Sequence, residues 1–144
     1  MRVDFYQLTR DPVEAVLPLI ARNTVGAGER LLVIATEDAF DRLSDALWTR
    51  LPESFLAHGR AREPHQERQP ILLSTTPEAA NGARYIALAD GHWRDEALDF
   101  DRAFLLFGDA TIAAARQVWR DLGAREGLDR HFWKQDGGKW REMA

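Results

Sequence analysis

Four residues in the C-terminal third of the chain have the types and spacing of a binding surface. They are Ile112, Arg116, Trp119 and Arg120, which on a helix lie along one flank. Guanidinium groups pair with carboxylates through two parallel hydrogen bonds, and an aromatic wall removes water from such a pair. This surface, here called the arginine flank, therefore suits an anionic ligand that also carries an apolar side chain.

The helix that carries the arginine flank is predicted from Asp109, which we place as its cap. Its core-facing positions, spaced three and four residues apart, are Ala114, Ala115, Val118 and Leu122. A second interpretation fits the same pattern: an amphipathic helix whose arginines are solvated and whose Trp119 packs at the edge of the core. The pattern alone leaves both interpretations open.

A second candidate surface, here called the Trp48 surface, consists of Trp48, Leu51 and Phe55. Trp48 lies off the core stripe of a predicted helix, and the other two follow in the adjoining loop. Exposed aromatic anchors are typical of sites on which a partner protein docks. The same residues would also serve to close one end of the core, and the pattern does not decide between the two roles.

Motifs for catalysis, cofactor binding and metal binding are missing from the sequence. Gly26-Ala27-Gly28 precedes a strand instead of following it, and Gly137-Gly138-Lys139 lacks the remaining residues of a phosphate loop. The four histidines stand apart, and no G-x-S-x-G segment occurs. An acidic run over residues 90–101 has no histidine, serine or metal partner for acid–base work. We predict neither an enzyme nor a cofactor or metal site.

Composition indicates an ordinary globular domain. The 144 residues are 45% hydrophobic and 29% charged with a net charge of -4, so no general attraction to nucleic acid or membranes is expected. Residues 109–144 hold seven basic and six acidic residues, which makes this segment the least repellent to an acidic partner. The chain has no cysteine, no signal peptide and no run near the about 18 apolar residues of a membrane span. We expect a soluble cytoplasmic protein.

The order of the predicted elements indicates an α/β fold. Strands are predicted at residues 3–8, 31–35, 71–74, 85–88 and 104–107. Helices are predicted over residues 11–25, from Thr36 with a core stripe at Phe40, Leu43 and Leu47, and from Asp109. Pro18 predicts a kink or break in the first helix.

The second of these strands, at residues 31–35, is apolar throughout, as is typical of a strand covered on both faces. We therefore expect a three-layer, Rossmann-like domain with a mostly parallel sheet of about five strands. Residues 1–144 are expected to form a single domain, with residues 128–144 as a C-terminal tail.

Several segments resemble one known family in matching order along nearly the whole chain. The most specific piece reads ALW, followed by PESF and His58. The other pieces are FYQL at residues 5–8, PIL at 70–72, and AR leading to WR at 115–120. Together they resemble the chi subunit of bacterial DNA polymerase III.

The resemblance implies a noncatalytic accessory subunit of the clamp-loader assembly. Chi-like proteins bind the acidic, phenylalanine-terminated C-terminal tail of single-stranded DNA-binding protein (SSB). The tail-binding positions carried over to this sequence are Arg116, Trp119 and Arg120, with Ile112 and Leu105 nearby. Neither direct nucleic-acid binding nor membrane binding is expected.

The resemblance also implies a second partner, the small subunit psi, in hosts that have one. Its contact falls around Trp48 and Phe55, on the Trp48 surface. A structural subunit that uses only this surface is a further possibility.

The sequence departs from the family pattern at the arginine flank. The family has a tyrosine at Trp119 and a lysine at Arg120, so aromatic and cationic character are kept. A family lysine one turn before Arg116 is replaced by Ile112, which removes one electrostatic contact. The segment after Gly127 is also richer in aromatic and basic residues than the family's end, and it is expected to cover the pocket or pack on the sheet.

A function of another class is a Rossmann-like nucleotide-binding enzyme of unknown reaction. Such a protein binds its ligand at the carboxyl ends of its strands. The turns after the first two predicted strands, at residues 9–12 and 36–38, carry acids instead of phosphate-cradling glycines.

Overall fold

A computed structural model of the protein describes residues Met1 to Ala144. The strands are β1 (Arg2–Gln7), β2 (Leu31–Ile34), β3 (Gly59–Arg60), β4 (Ile71–Ser74), β5 (Tyr85–Leu88), β6 (Arg102–Phe107), β7 (Asp129–Asp136) and β8 (Lys139–Glu142). They form one sheet in the order β3-β4-β2-β5-β6-β1-β7-β8, in which only the β7–β8 pairing is antiparallel. The helices are α1 (Val13–Gly26), α2 (Phe40–Thr49) and α3 (Ile112–Leu122).

The sheet has eight strands, so the prediction of about five is wrong in number. The five apolar runs all form strands, namely β1, β2, β4, β5 and β6. The three additional strands, β3, β7 and β8, lie toward the two edges of the sheet and are largely polar. They are held by backbone pairing and not by a continuous apolar run, so their residues lack the pattern that predicts a buried strand.

Two apolar cores lie on opposite faces of the sheet. Leu31 and Val33 of β2 join the core that contains α1 and α2, whereas Leu32 and Ile34 join the core beneath α3. Alternate residues of a strand point to opposite faces, so all of β2 is buried although every residue is apolar. The expectation of helices on both faces of a mostly parallel sheet is confirmed.

The two helices on the first face differ in how well the sequence predicted them. In α2, Phe40, Leu43 and Leu47 are buried as expected. The break predicted at Pro18 is wrong, because α1 runs unbroken through it. Pro18 is buried, and burial of its ring helps offset the lost backbone hydrogen bond.

The helix of the arginine flank begins later than predicted. Asp109 lies in a short 3-10 turn and makes no side-chain capping hydrogen bond. Within α3, Ala115 and Leu122 are buried as expected, but Ala114 is exposed. The helix turns the side that holds Trp119 toward the sheet, which rotates Ala114 into solvent. None of the helices has the length and apolarity that a membrane crossing requires.

Residues 128–144, set apart in the sequence as a tail, contain the hairpin of β7 and β8. β7 lies parallel to β1, with Trp133 opposite Tyr6. A turn at Gly137, where φ is 61°, leads into β8. Trp140 of β8 packs edge-on against Tyr6, with ring centroids 5.0 Å apart. The segment thus extends the sheet beyond β1.

Candidate functional site

The indole of Trp119 is held by aromatic side chains of the sheet. Phe5 of β1 meets it edge-to-face with ring centroids 5.3 Å apart, and Phe132 of β7 does so at 5.5 Å. Phe5 and Phe132 stack on each other at 5.9 Å. Each aromatic pair contributes about 0.5–1.5 kcal/mol beyond burial, so the half-buried indole has one preferred orientation.

The two arginines of the flank are exposed and carry no carboxylate partner. Arg120 donates a hydrogen bond to Oε1 of Gln117 at 2.8 Å, one turn earlier on the helix. By contrast, Arg94 pairs with Asp90 at 2.7 Å. Unpaired guanidinium groups beside an indole leave their donors available to an anion.

The remaining two predicted positions differ in accessibility. Ile112 is half-buried and packs against the core beneath α3. With Arg116 and Trp119 it follows the i, i+4, i+7 spacing of a single helical stripe, and Arg120 lies beside that stripe, farther from the sheet. Leu105 is 0% exposed in β6, so it supports the flank from below and offers no surface to a ligand.

Arg130 is a residue of this surface that sequence reasoning missed. It belongs to β7, and its Cζ lies 4.0 Å from the centre of the Trp119 ring. Its guanidinium also donates a hydrogen bond to the carbonyl oxygen of Trp119. The only signal in the sequence was the basic and aromatic composition after Gly127, because the pairing of β7 with β1 is a tertiary contact.

The Trp48 surface projects from the end of α2. Trp48 is 47% exposed and Phe55 is 80% exposed, and their rings meet edge-to-face at 6.2 Å. Leu51 is half-buried beside them. Phe55 has a φ of 48°, in the left-handed region that costs a bulky residue about 1 kcal/mol or more. A large apolar side chain is therefore held in solvent by a strained backbone.

His58 supports the Trp48 surface from beneath, with its ring centroid 4.5 Å from that of Trp48. Nδ1 donates to the carbonyl of Leu56 at 2.8 Å, so in the neutral ring Nε2 accepts from the hydroxyl of Ser44 at 2.7 Å. Burial lowers the pKa of His58, and the hydrogen bond to Leu56 only partly offsets this effect. The imidazole is thus kept neutral under the exposed indole.

The turn after β1 is the place where a nucleotide-binding α/β fold holds phosphate. Here the backbone amides of Thr9, Arg10 and Asp11 donate to Oε1 of Gln135, at 3.3, 3.0 and 3.1 Å. Nε2 of Gln135 donates in turn to the carboxylate of Asp11 at 2.7 Å. A side chain of β7 therefore occupies the donors that a phosphate would need.

Two clefts complete the surface. One, of about 300 Å³, lies at the carboxyl ends of β1, β5 and β6; Asp11 and Asp90 line it, and no basic residue does. The largest, of about 780 Å³, is lined by charged residues that include Arg84 and Arg94. Both arginines are paired with carboxylates, Arg84 with Glu29 and Arg94 with Asp90. No group of three or more potential ligands has a metal-binding arrangement.

The fold and its surfaces define a mostly parallel α/β domain whose prominent features are an unpaired cationic and aromatic helix flank and an exposed aromatic pair. The chain belongs to the family of DNA polymerase III chi subunits, HolC, whose family model matches residues 1–129. This membership confirms the resemblance seen in the sequence and makes the protein an accessory subunit in DNA replication. No curated protein matches the chain. The matched region ends at the first residue of β7, so nearly all of the C-terminal hairpin lies beyond it.

Proposed function

We propose that the arginine flank binds the acidic C-terminal tail of SSB and thereby links it to the clamp-loader assembly of DNA polymerase III. One observation carries the proposal: two unpaired, exposed arginines lie on the same helix flank as an indole held by two phenylalanines. Family membership supports it, because a chi subunit works within the polymerase III assembly.

The flank offers a separate contact for each part of such a tail. Arg116 pairs with the terminal carboxylate, and Arg120 pairs with acidic residues upstream. The terminal phenylalanine lies against Trp119 and Ile112, while Leu105 packs beneath the helix. A contact of this size is weak, roughly micromolar, and loses affinity with salt. Several tails on one SSB-coated strand supply avidity.

The test is a calorimetric titration with an acidic peptide that ends in proline and phenylalanine. We expect Arg116→Ala to weaken binding about tenfold or more, as loss of a bidentate charged contact does. Arg22→Ala is the matched control, since Arg22 is exposed on α1, on the opposite face of the sheet. Unchanged binding by the Arg116 variant, or equal binding of a peptide that lacks the phenylalanine, would overturn the proposal.

We further propose that the Trp48 surface contacts the psi subunit in hosts that have one. The exposure of Phe55 and its left-handed backbone favour a docking role over closure of the core. Leu51 lies beside the aromatic pair and widens the apolar area that a partner would cover.

The nucleotide-binding enzyme is the less favoured function. Gln135 occupies the amides of the turn after β1, and acids line the adjacent cleft. A melting temperature raised by ATP or NAD would favour it. We expect no such shift.

A further inference from the structure

We propose that Arg130 is a specificity-determining residue of the arginine flank, a third cation that receives an acidic side chain upstream of the ligand's terminal residue. This inference rests on the function proposed above. It adds a residue from β7, which lies beyond the family match, to a surface otherwise formed by α3.

The guanidinium of Arg130 extends the helical stripe of the flank. The stripe runs through Arg116 and Trp119, and the next position along it is Gly123. A Cβ atom at Gly123 would lie 2.8 Å from Nη2 and 2.9 Å from Cζ of Arg130. Arg130 therefore fills the space that a side chain at position 123 would take, and it puts a cation there.

The charge of Arg130 is available to a ligand. No carboxylate lies within salt-bridge distance of it, and its one protein acceptor is the carbonyl of Trp119. A guanidinium has five N–H donors, so most remain free. The carbonyls at the C-terminal end of α3 would otherwise repel an acid, because that end of a helix carries partial negative charge. Arg130 covers this end and reverses the sign.

The spacing along α3 predicts which ligand residue Arg130 meets. Seven residues separate Arg116 from Gly123, which is about 10 Å along a helix. An extended peptide advances about 3.3 Å per residue. With the terminal carboxylate at Arg116, the residue about three positions before the end reaches Arg130. An acid at that position compensates for the charge that Ile112 does not supply.

The experiment is a double-mutant cycle between Arg130 and the peptide. Two peptides that end in phenylalanine are compared, one with aspartate and one with asparagine at the third residue before the end. We expect Arg130→Gln to weaken binding of the aspartate peptide about fivefold and to leave the asparagine peptide nearly unchanged. Arg130→Lys should keep part of the affinity, and Arg22→Gln, which also removes one exposed positive charge, should keep all of it.

The outcomes separate the two proposals. If the wild-type protein binds neither peptide, the proposed function fails and this inference fails with it. If the wild type binds and Arg116→Ala weakens it, but Arg130→Gln reduces both peptides equally, then Arg130 only supports Trp119 and this inference alone is overturned. Unchanged affinity of Arg130→Gln for the aspartate peptide overturns it as well. Circular dichroism of each variant establishes that the compared proteins are folded.

Discussion

Phe132 of β7 meets Trp119 of α3 edge-to-face, with ring centroids 5.5 Å apart and planes at 86°. The contact joins the C-terminal hairpin to the helix that carries the arginine flank. Phe5 of β1 contacts both rings, so the three aromatics form one cluster across two strands and a helix. The orientation of Trp119 therefore depends on the hairpin as well as on α3.

Replacing Phe132 by alanine should lower the free energy of unfolding by roughly 2–3 kcal/mol, because a half-buried ring leaves a cavity under Trp119. The Trp119 indole should also become more mobile. Urea denaturation and the NMR linewidth of the indole proton measure the two effects. Phe55→Ala is the matched control, since this ring is 80% exposed and its loss should change stability by about 0.5 kcal/mol or less. Equal losses in both variants would contradict the prediction.

Five strands and the three helices could be predicted from the sequence because their signals are local. β2 is buried on both faces and reads as a continuous apolar run, and the Phe40, Leu43 and Leu47 stripe has helical spacing. β7 reads DRHFWKQD and has only one buried residue, Gln135. Its position is set by pairing with β1 at the other end of the chain, and a local pattern does not record such a pairing.

The candidate site divides in the same way. Arg116, Trp119 and Arg120 could be grouped because helical periodicity brings residues three and four apart onto one flank. Arg130 reaches that flank from another element, and Gln135 reaches the turn after β1 across 124 or more residues. Their roles depend on strand register, which the sequence alone did not establish.

Truncating Phe55 to alanine should weaken binding of a psi subunit about tenfold or more while leaving the fold intact. The reason is that an exposed aromatic anchor contributes mainly to the interface, where hot-spot residues are worth 2 kcal/mol or more. Calorimetry with purified psi from the same host measures the affinity. Leu19→Ala, which removes an exposed apolar side chain on α1, is the control and should bind normally. Equal affinity of the Phe55 variant and the wild type would refute this role.

Asp4 should make the protein less stable in acid. Its side chain is fully buried between Arg2 and Arg102. Burial raises the pKa of Asp4, but the hydrogen bond from Arg2, the charge of Arg102 and the hydrogen bond from Trp133 together lower it below its usual 3.8. A carboxyl group with a lowered pKa stabilises the fold above its unfolded pKa, and this contribution is lost as the pH falls through the folded pKa.

Asp4→Asn should therefore reduce stability by about 2 kcal/mol at pH 7 and flatten the loss of stability below about pH 4. The cost is smaller than for a fully buried ion pair because both arginines keep contact with water. Urea denaturation between pH 2 and 7 measures it. Asp45→Asn, at an exposed position of α2, should leave the acid limb as steep as in the wild type. An acid limb of unchanged slope in the Asp4 variant would show that this carboxylate is not responsible.

Gln135→Ala should separate the two faces of the hairpin. Removing the carboxamide leaves the amides of Thr9, Arg10 and Asp11 without their acceptor, which should cost roughly 2 kcal/mol of stability. Gln135 points to the face of the sheet opposite Phe132, since successive residues of a strand alternate. Affinity for the acidic peptide should therefore stay within about twofold of the wild type at a temperature where the variant is folded. Gln117→Ala, an exposed glutamine on α3, should retain full stability, and a large loss of peptide affinity in the Gln135 variant would mean that the turn after β1 and the arginine flank are coupled through β7.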